Sequence, residues 1–286
     1  LIIDAQIHPY ERNHPGRPWV EALPGPPEVT GEQLVAAMDE ARVDAAILVS
    51  AFALYRYDAS YAVQVRNAHP HRFALVKPVD IADPAVGEVV ADWAKTPGAV
   101  AIRVLIFSSR PVGPDDPGLN LAISTAARFS LAVNLACVGN LAIAAALAQK
   151  HPSCRLVIDH LGLRQPMTPP PLQDPFGNLP AVLDLAQHEN IAIKVSGVCT
   201  LSREAYPFAD IWDPLWRVFD AYGFDRCMWG TDWTRACDFL TFGEAVEAFR
   251  RHERLTQNER AALMGETLQS IYNWRAPGVA GGRDVR

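Results

Sequence analysis

Short runs of Val, Ile and Leu recur along the chain, separated by longer stretches whose apolar residues fall at helical spacing. This alternation predicts parallel strands joined by crossover helices, because strands buried on both faces read as unbroken apolar runs. The runs occupy residues 1–7, 45–51, 73–79, 100–107, 131–138, 156–159, 191–195 and 227–230. Helices are predicted to begin near Thr30, Asp58, Pro84, Gly118, Asn140, Asn178 and Ala209, several behind a Thr, Asp or Asn suited to cap an N-terminus. Two final helices are predicted over 242–251 and 256–274. Eight strand–helix units in 286 residues predict an α/β fold, a (β/α)8 TIM barrel in one domain over 1–275, with a flexible Gly-rich tail over 276–286. An open doubly wound sheet would place a Gly-rich phosphate loop after its first strand, and neither GxGxxG nor GxxxxGK[ST] stands there. Long connections over 9–30 and 164–177 follow strands one and six. Loops after barrel strands build the catalytic face, so these two are expected to wall the pocket.

Charge narrows the partners. With 26 basic against 32 acidic side chains the net charge is −6, which leaves no basic surplus for nucleic acid or for an anionic membrane. A small-molecule substrate is expected; oligomeric state is not legible. The longest apolar tract, 131–148, is interrupted by Asn134 and by Gly139-Asn140, so it falls short of the ~20 residues that span a bilayer. Cys137, Cys154, Cys199, Cys227 and Cys237 are odd in number and widely spaced, and are expected to be buried thiols of a reducing compartment. No basic n-region or cleavage site precedes the first strand, so a cytoplasmic location is expected; the missing initiator Met suggests numbering that starts inside a longer chain.

Polar residues interrupt the strands where a barrel keeps its chemistry, at their C-terminal ends. The first strand runs into Asp4-Ala5-Gln6-Ile7-His8, whose alternation puts Asp4, Gln6 and His8 on one face. Arg103 lies on the fourth, Asp159-His160-Leu161-Gly162 closes the sixth, Lys194 and Ser196 lie on the seventh, and Trp229-Gly230-Thr231-Asp232-Trp233 closes the eighth. Burying such groups costs several kcal/mol unless they pair, so together they imply one common centre. Taken singly, His8 also reads as a structural histidine, Asp232 as a turn cap, and Arg103 and Lys194 as internal counterions; Asp4 and Asp159 read as supports for backbone or loops.

In order and spacing, these motifs resemble the amidohydrolase superfamily, in its amidohydrolase-related branch of 2-pyrone-4,6-dicarboxylate and sugar-lactone lactonases. The resemblance implies a (β/α)8 barrel that opens a lactone or related cyclic ester or amide, with Asp232 as general base. The family's first-strand pattern, His-x-His, here reads Gln6-Ile7-His8. In metal-dependent relatives both histidines and the eighth-strand aspartate hold a divalent ion, which would leave His8 and Asp232 as ligands with His160 nearby. A carboxamide is a poorer ligand than imidazole, and the pyrone-dicarboxylate lactonase is understood to work without metal; the expected cofactor is therefore none, or one Zn or Mn ion.

On this reading Asp232, kept ionised chiefly by Arg103, activates water, while His8, His160 and Gln6 donate to the oxyanion. Arg103, Arg164 and Lys194 are candidate substrate-binding cations, and Tyr10, Trp19 and Trp233 candidate walls around a small oxygenated ring. Two alternatives stay open: a Mn- or Zn-dependent decarboxylase of an aromatic or unsaturated acid, and a non-catalytic binding barrel.

Overall fold

The computed structural model describes residues 1–106 and 112–276. The strands are β1 (Ile3–Ile7), β2 (Ala45–Val49), β3 (Phe73–Pro78), β4 (Ala99–Leu105), β5 (Ala132–Ala136), β6 (Leu156–Ile158), β7 (Ile191–Ser196) and β8 (Cys227–Gly230). They pair in parallel and in chain order, and the ends meet where the Asp232 N–H donates to the Gln6 carbonyl at 2.9 Å. This is the expected (β/α)8 barrel.

One buried cluster draws on all eight strands and forms the interior; small residues such as Ala45, Ala74, Ala132 and Ala192 leave room for Ile3, Ile47 and Met228. The alternate positions, among them Leu48, Leu75, Leu135 and Ile193, face the helices. Leu268, Ile271 and Tyr272 of the last helical segment join the interior cluster, so this end is closed by side chains. Caps set several helix starts where expected. Thr30 and Thr241 each accept an N–H in the first turn while Gln33 or Glu244 bonds back to the cap.

Three local expectations are corrected. β6 stops at Ile158, because His160 and Leu161 take left-handed backbone (φ 54° and 58°) that a strand cannot continue. The helix expected over 256–274 is broken by a π turn over Ala262–Glu266, where Gly265 packs so closely on the Leu1 carbonyl that an added Cβ would lie 2.8 Å from it. An unanticipated short helix, Phe52–Tyr55, follows β2. The end of the fourth run at Phe107 and the tail 277–286 lie outside the described residues. Cys137, Cys154, Cys199 and Cys227 are buried, whereas Cys237 is only half-buried. Among the described residues no helix is long and apolar enough to cross a membrane.

Candidate active site

A cavity of about 220 Å³ opens at the C-terminal ends of the strands. His8, Arg103, His160, Asp232 and Arg235 supply its charged and titratable lining, while Tyr10, Leu23, Pro24, Phe52, Leu105 and Met167 supply much of the rest. Both long loops contribute, through Tyr10, Leu23 and Pro24 from the first and Met167 from the second.

Asp232 is the centre. It is fully buried and left-handed (φ 49°), and it precedes a short helix without capping it through its side chain. Such backbone costs about 1–3 kcal/mol for a non-glycine residue and persists only where the surroundings hold it. Oδ2 accepts from Arg235 Nε at 2.5 Å and lies 3.5 Å from His160 Nδ1. Oδ1 lies 3.2 Å from His8 Nε2 and has no hydrogen-bond partner. Burial alone would raise this carboxyl, but the Arg235 guanidinium outweighs it and holds it well below the usual carboxylate range. The compensating cation is therefore Arg235, not Arg103 as expected from the sequence.

Arg235 is itself anchored: Nη1 donates to the Pro166 carbonyl at 2.5 Å and Nη2 to Gln165 Oε1, and Gln165 donates to the Ser196 carbonyl at 2.7 Å. Gly197 makes room for this clamp. It is left-handed (φ 65°), and a Cβ there would lie 2.5 Å from Arg235 Nη2 and 3.2 Å from Asp232 Cβ.

Ring tautomers follow from partners that can only donate or only accept. His8 Nδ1 lies 2.7 Å from the Val49 carbonyl, so Nδ1 carries the hydrogen. Lys194 Nζ lies 2.7 Å from the Gln6 side chain and can only donate, so the amide oxygen faces Lys194 and the amide N–H faces His8 Nε2 at 3.2 Å. The single lone pair of His8 Nε2 is thus taken by Gln6, and this nitrogen stands beside Asp232 Oδ1 without bonding it. In His160, Nε2 accepts from Arg103 Nη2 at 3.4 Å and Nδ1 donates to Ser196 Oγ at 3.0 Å. Burial, only partly countered by Asp232 and Asp159, pushes His160 down to about 4, so the ring is neutral near neutral pH.

The remaining candidates fall at different depths. Gln6 is fully buried beneath His8 and does not line the cavity. Lys194, also fully buried, pairs with Asp159 at 3.2 Å and stands below the cavity as a counterion. Arg103 bonds Asp159 Oδ2 through Nε at 2.7 Å and does reach the cavity wall. Asp4 turns to β8, accepting from the Gln6 and Thr231 amides at 2.9 Å each and from the Thr231 hydroxyl. An extra residue in β1 between Asp4 and Ile7 shifts the register against β2, so strict alternation along this strand fails. Tyr10 lines the cavity, whereas Trp19 stands behind it, ring edge to ring at 5.9 Å. Trp233 packs against Phe242 at 5.5 Å and Arg164 is exposed; neither lines the cavity. Sequence reasoning missed Arg235, whose position three residues after Asp232 was the available signal.

A resident divalent ion does not suit these donors. A catalytic zinc uses three protein ligands; only His8 Nε2 and Asp232 Oδ1 are disposed toward one point. Gln6 turns its oxygen to Lys194, and His160 Nδ1 is engaged with Ser196. Among the described residues no three His, Cys, Asp or Glu side chains are grouped to hold a metal.

A family model described as amidohydrolase matches residues 3–273. The chain belongs to the amidohydrolase family. The resemblance carried by the strand-end motifs is thereby borne out. An L-fucono-1,5-lactonase of Burkholderia ambifaria is 30% identical over 183 residues, 62% of this chain and 60% of that protein's length. Among solved structures, a Burkholderia multivorans amidohydrolase with bound Zn superposes with a TM-score of 0.77 at 22% identity, over 96% of this chain and 100% of that one. A "probable 2-pyrone-4,6-dicarboxylic acid hydrolase" of Acinetobacter baumannii, crystallised with citric acid, gives 0.74 at 19% identity, over 96% and 99%. At these identities the two structures speak for the fold.

Proposed function

We propose that this amidohydrolase-family barrel hydrolyses a lactone, with Asp232 as general base and without a resident metal. The observation that carries the reading is the asymmetry of the Asp232 carboxylate: Oδ2 is tied by Arg235, whereas Oδ1 has no hydrogen-bond partner and lies 3.2 Å from His8 Nε2, whose own lone pair takes the Gln6 amide N–H. A buried carboxylate oxygen without a donor calls for one, and a water molecule meets that need. Its oxygen attacks the lactone carbonyl as Oδ1 takes its proton. The developing oxyanion needs fixed donors. A guanidinium has five N–H groups, and Arg103, held by Asp159 and His160, turns its remaining ones to the cavity. Collapse of the tetrahedral intermediate breaks the ring C–O bond, and Asp232 returns the proton to the departing alkoxide, leaving a hydroxy acid. His160, neutral and fixed by Ser196, orients Arg103 and Asp232. Gln6, locked by Lys194, orients His8.

The test is a panel of lactones with purified protein, with and without chelator, beside Asp232→Asn. Ring opening that survives chelation and falls by about 10³-fold or more in the variant is expected. Carbon dioxide release from an aromatic acid, dependent on added Mn or Zn, would overturn the reading in favour of the decarboxylase.

A further inference from the structure

The cavity is divided. Its charged lining, His8, Arg103, His160, Asp232 and Arg235, lies on the strand ends or just after them and forms the floor, whereas Leu23, Phe52 and Met167 come from the connections above and Leu105 from the last residue of β4, forming the walls. The uncharged polar side chains among the described lining residues, Tyr10 and Thr234, each have a protein partner. Tyr10 donates its hydroxyl to the Pro26 carbonyl at 3.0 Å, so only its ring faces inward, and the Thr234 hydroxyl takes the His8 amide N–H at 3.2 Å. Three cations share two carboxylates at or below this floor. Arg103 and Lys194 face Asp159, and Arg235 faces Asp232.

Such walls discriminate by chemistry. A ring hydroxyl buried against them exchanges water for carbon and loses its hydrogen bonds. A carboxylate carried on the substituent, away from the reacting carbonyl, would lie against Leu23, Phe52, Leu105 and Met167 rather than against a guanidinium. An alkyl or aryl group meets no such penalty and gains from leaving water.

We propose that the substrate is a lactone bearing an apolar alkyl or aryl substituent, whose ring carbonyl sits over Asp232 and whose substituent packs against Leu23, Phe52, Leu105 and Met167. The proposal rests on the lactone-opening reading above and departs from the sugar lactone and the pyrone dicarboxylate after which its relatives are named. Each methylene moved from water to the wall should raise kcat/KM roughly fourfold until the cavity is filled.

The test compares kcat/KM of the whole protein for unsubstituted δ-valerolactone, for δ-lactones with progressively longer alkyl chains, for glucono-δ-lactone and for a carboxylated pyrone. The alkyl series is expected to climb and to exceed the sugar and carboxylated lactones by about a hundredfold or more, and Leu105→Asn and Leu23→Asn to flatten the climb. Preference for the sugar or the carboxylated lactone, or a flat alkyl series, overturns the proposal and leaves lactone hydrolysis standing. In parallel, calorimetry follows δ-lactams carrying the same substituents. Should no lactone of any kind be opened, the hydrolase reading fails, while the lactam affinities still decide the wall: a rise with chain length supports it and equal affinities sink it.

Discussion

Two carboxylates, at the ends of β6 and β8, share burial, strand-end position and a neighbouring left-handed turn, yet differ in what holds them. Asp159 has a cation at each oxygen, Arg103 at 2.7 Å and Lys194 at 3.2 Å. Asp232 has a cation at one oxygen only, Arg235 at 2.5 Å, and meets a His8 ring nitrogen at the other. Both are driven below the usual carboxylate range despite burial, by Lys194 and Arg103 in the first case and by Arg235 in the second. In both, the second oxygen has no hydrogen-bond partner; what differs is its neighbour, an ammonium at Asp159 and an imidazole nitrogen at Asp232, and that Asp232 alone of the two lines the cavity. On the proposed reading the first serves as a strut and the second as the acceptor, so chemistry is assigned by neighbour and position rather than by residue type.

Exchanging the two acids is the strongest challenge to that distinction. Asp159→Asn leaves Arg103 and Lys194 buried against a neutral group and should destabilise the protein by about 3–5 kcal/mol, read as a lower thermal midpoint. Asp232→Asn should keep most of the stability while removing turnover. A reversal of these phenotypes would break the comparison.

Arg235→Gln is a sharper and smaller probe. Losing a charged hydrogen bond of about 1.5–3 kcal/mol should lower kcat/KM roughly tenfold to a hundredfold near neutral pH. Because Arg235 depresses Asp232, the acidic limb of the kcat/KM profile should also move to higher pH in the variant. An unmoved limb would show that the guanidinium only supports the loop at Gln165 and Pro166.

The smallest expected effect concerns stability. His160 is depressed to about 4 in the folded chain against about 6.5 when unfolded, so the unfolded state binds more protons between these values. The His160 contribution should therefore be full above about pH 6.5 and decline as the pH falls toward about 4. Asp4 opposes it over the same window: burial raises its carboxyl to about 7, so there the folded state holds the extra proton. Urea midpoints at several pH values should accordingly show the His160 slope as the difference between the unchanged protein and His160→Gln.

The membership of the site was only partly legible beforehand. His8, His160 and Asp232 could be named because each breaks an apolar strand at its C-terminal end, where a barrel brings strand ends together. Lys194 and Gln6 carry the same signal, but they are fully buried beneath the cavity. Arg164, Trp19 and Trp233 satisfied a compositional expectation for loops around a pocket, and none of them lines it. Arg235 sits in a four-residue helix, Trp233–Ala236, too short for any periodicity to mark it.

By itself the order of apolar runs determined the eight-stranded barrel, since strands buried on both faces have few alternatives to that closure, and the polar interruptions determined which end bears the site. Pairing was decided only in three dimensions. Whether Arg103 or Arg235 neutralises Asp232, and which way the Gln6 amide points, depends on distances of a few ångströms between residues far apart along the chain. Electrostatic and hydrogen-bond energies change steeply over such distances, whereas the pattern along a strand specifies only a face.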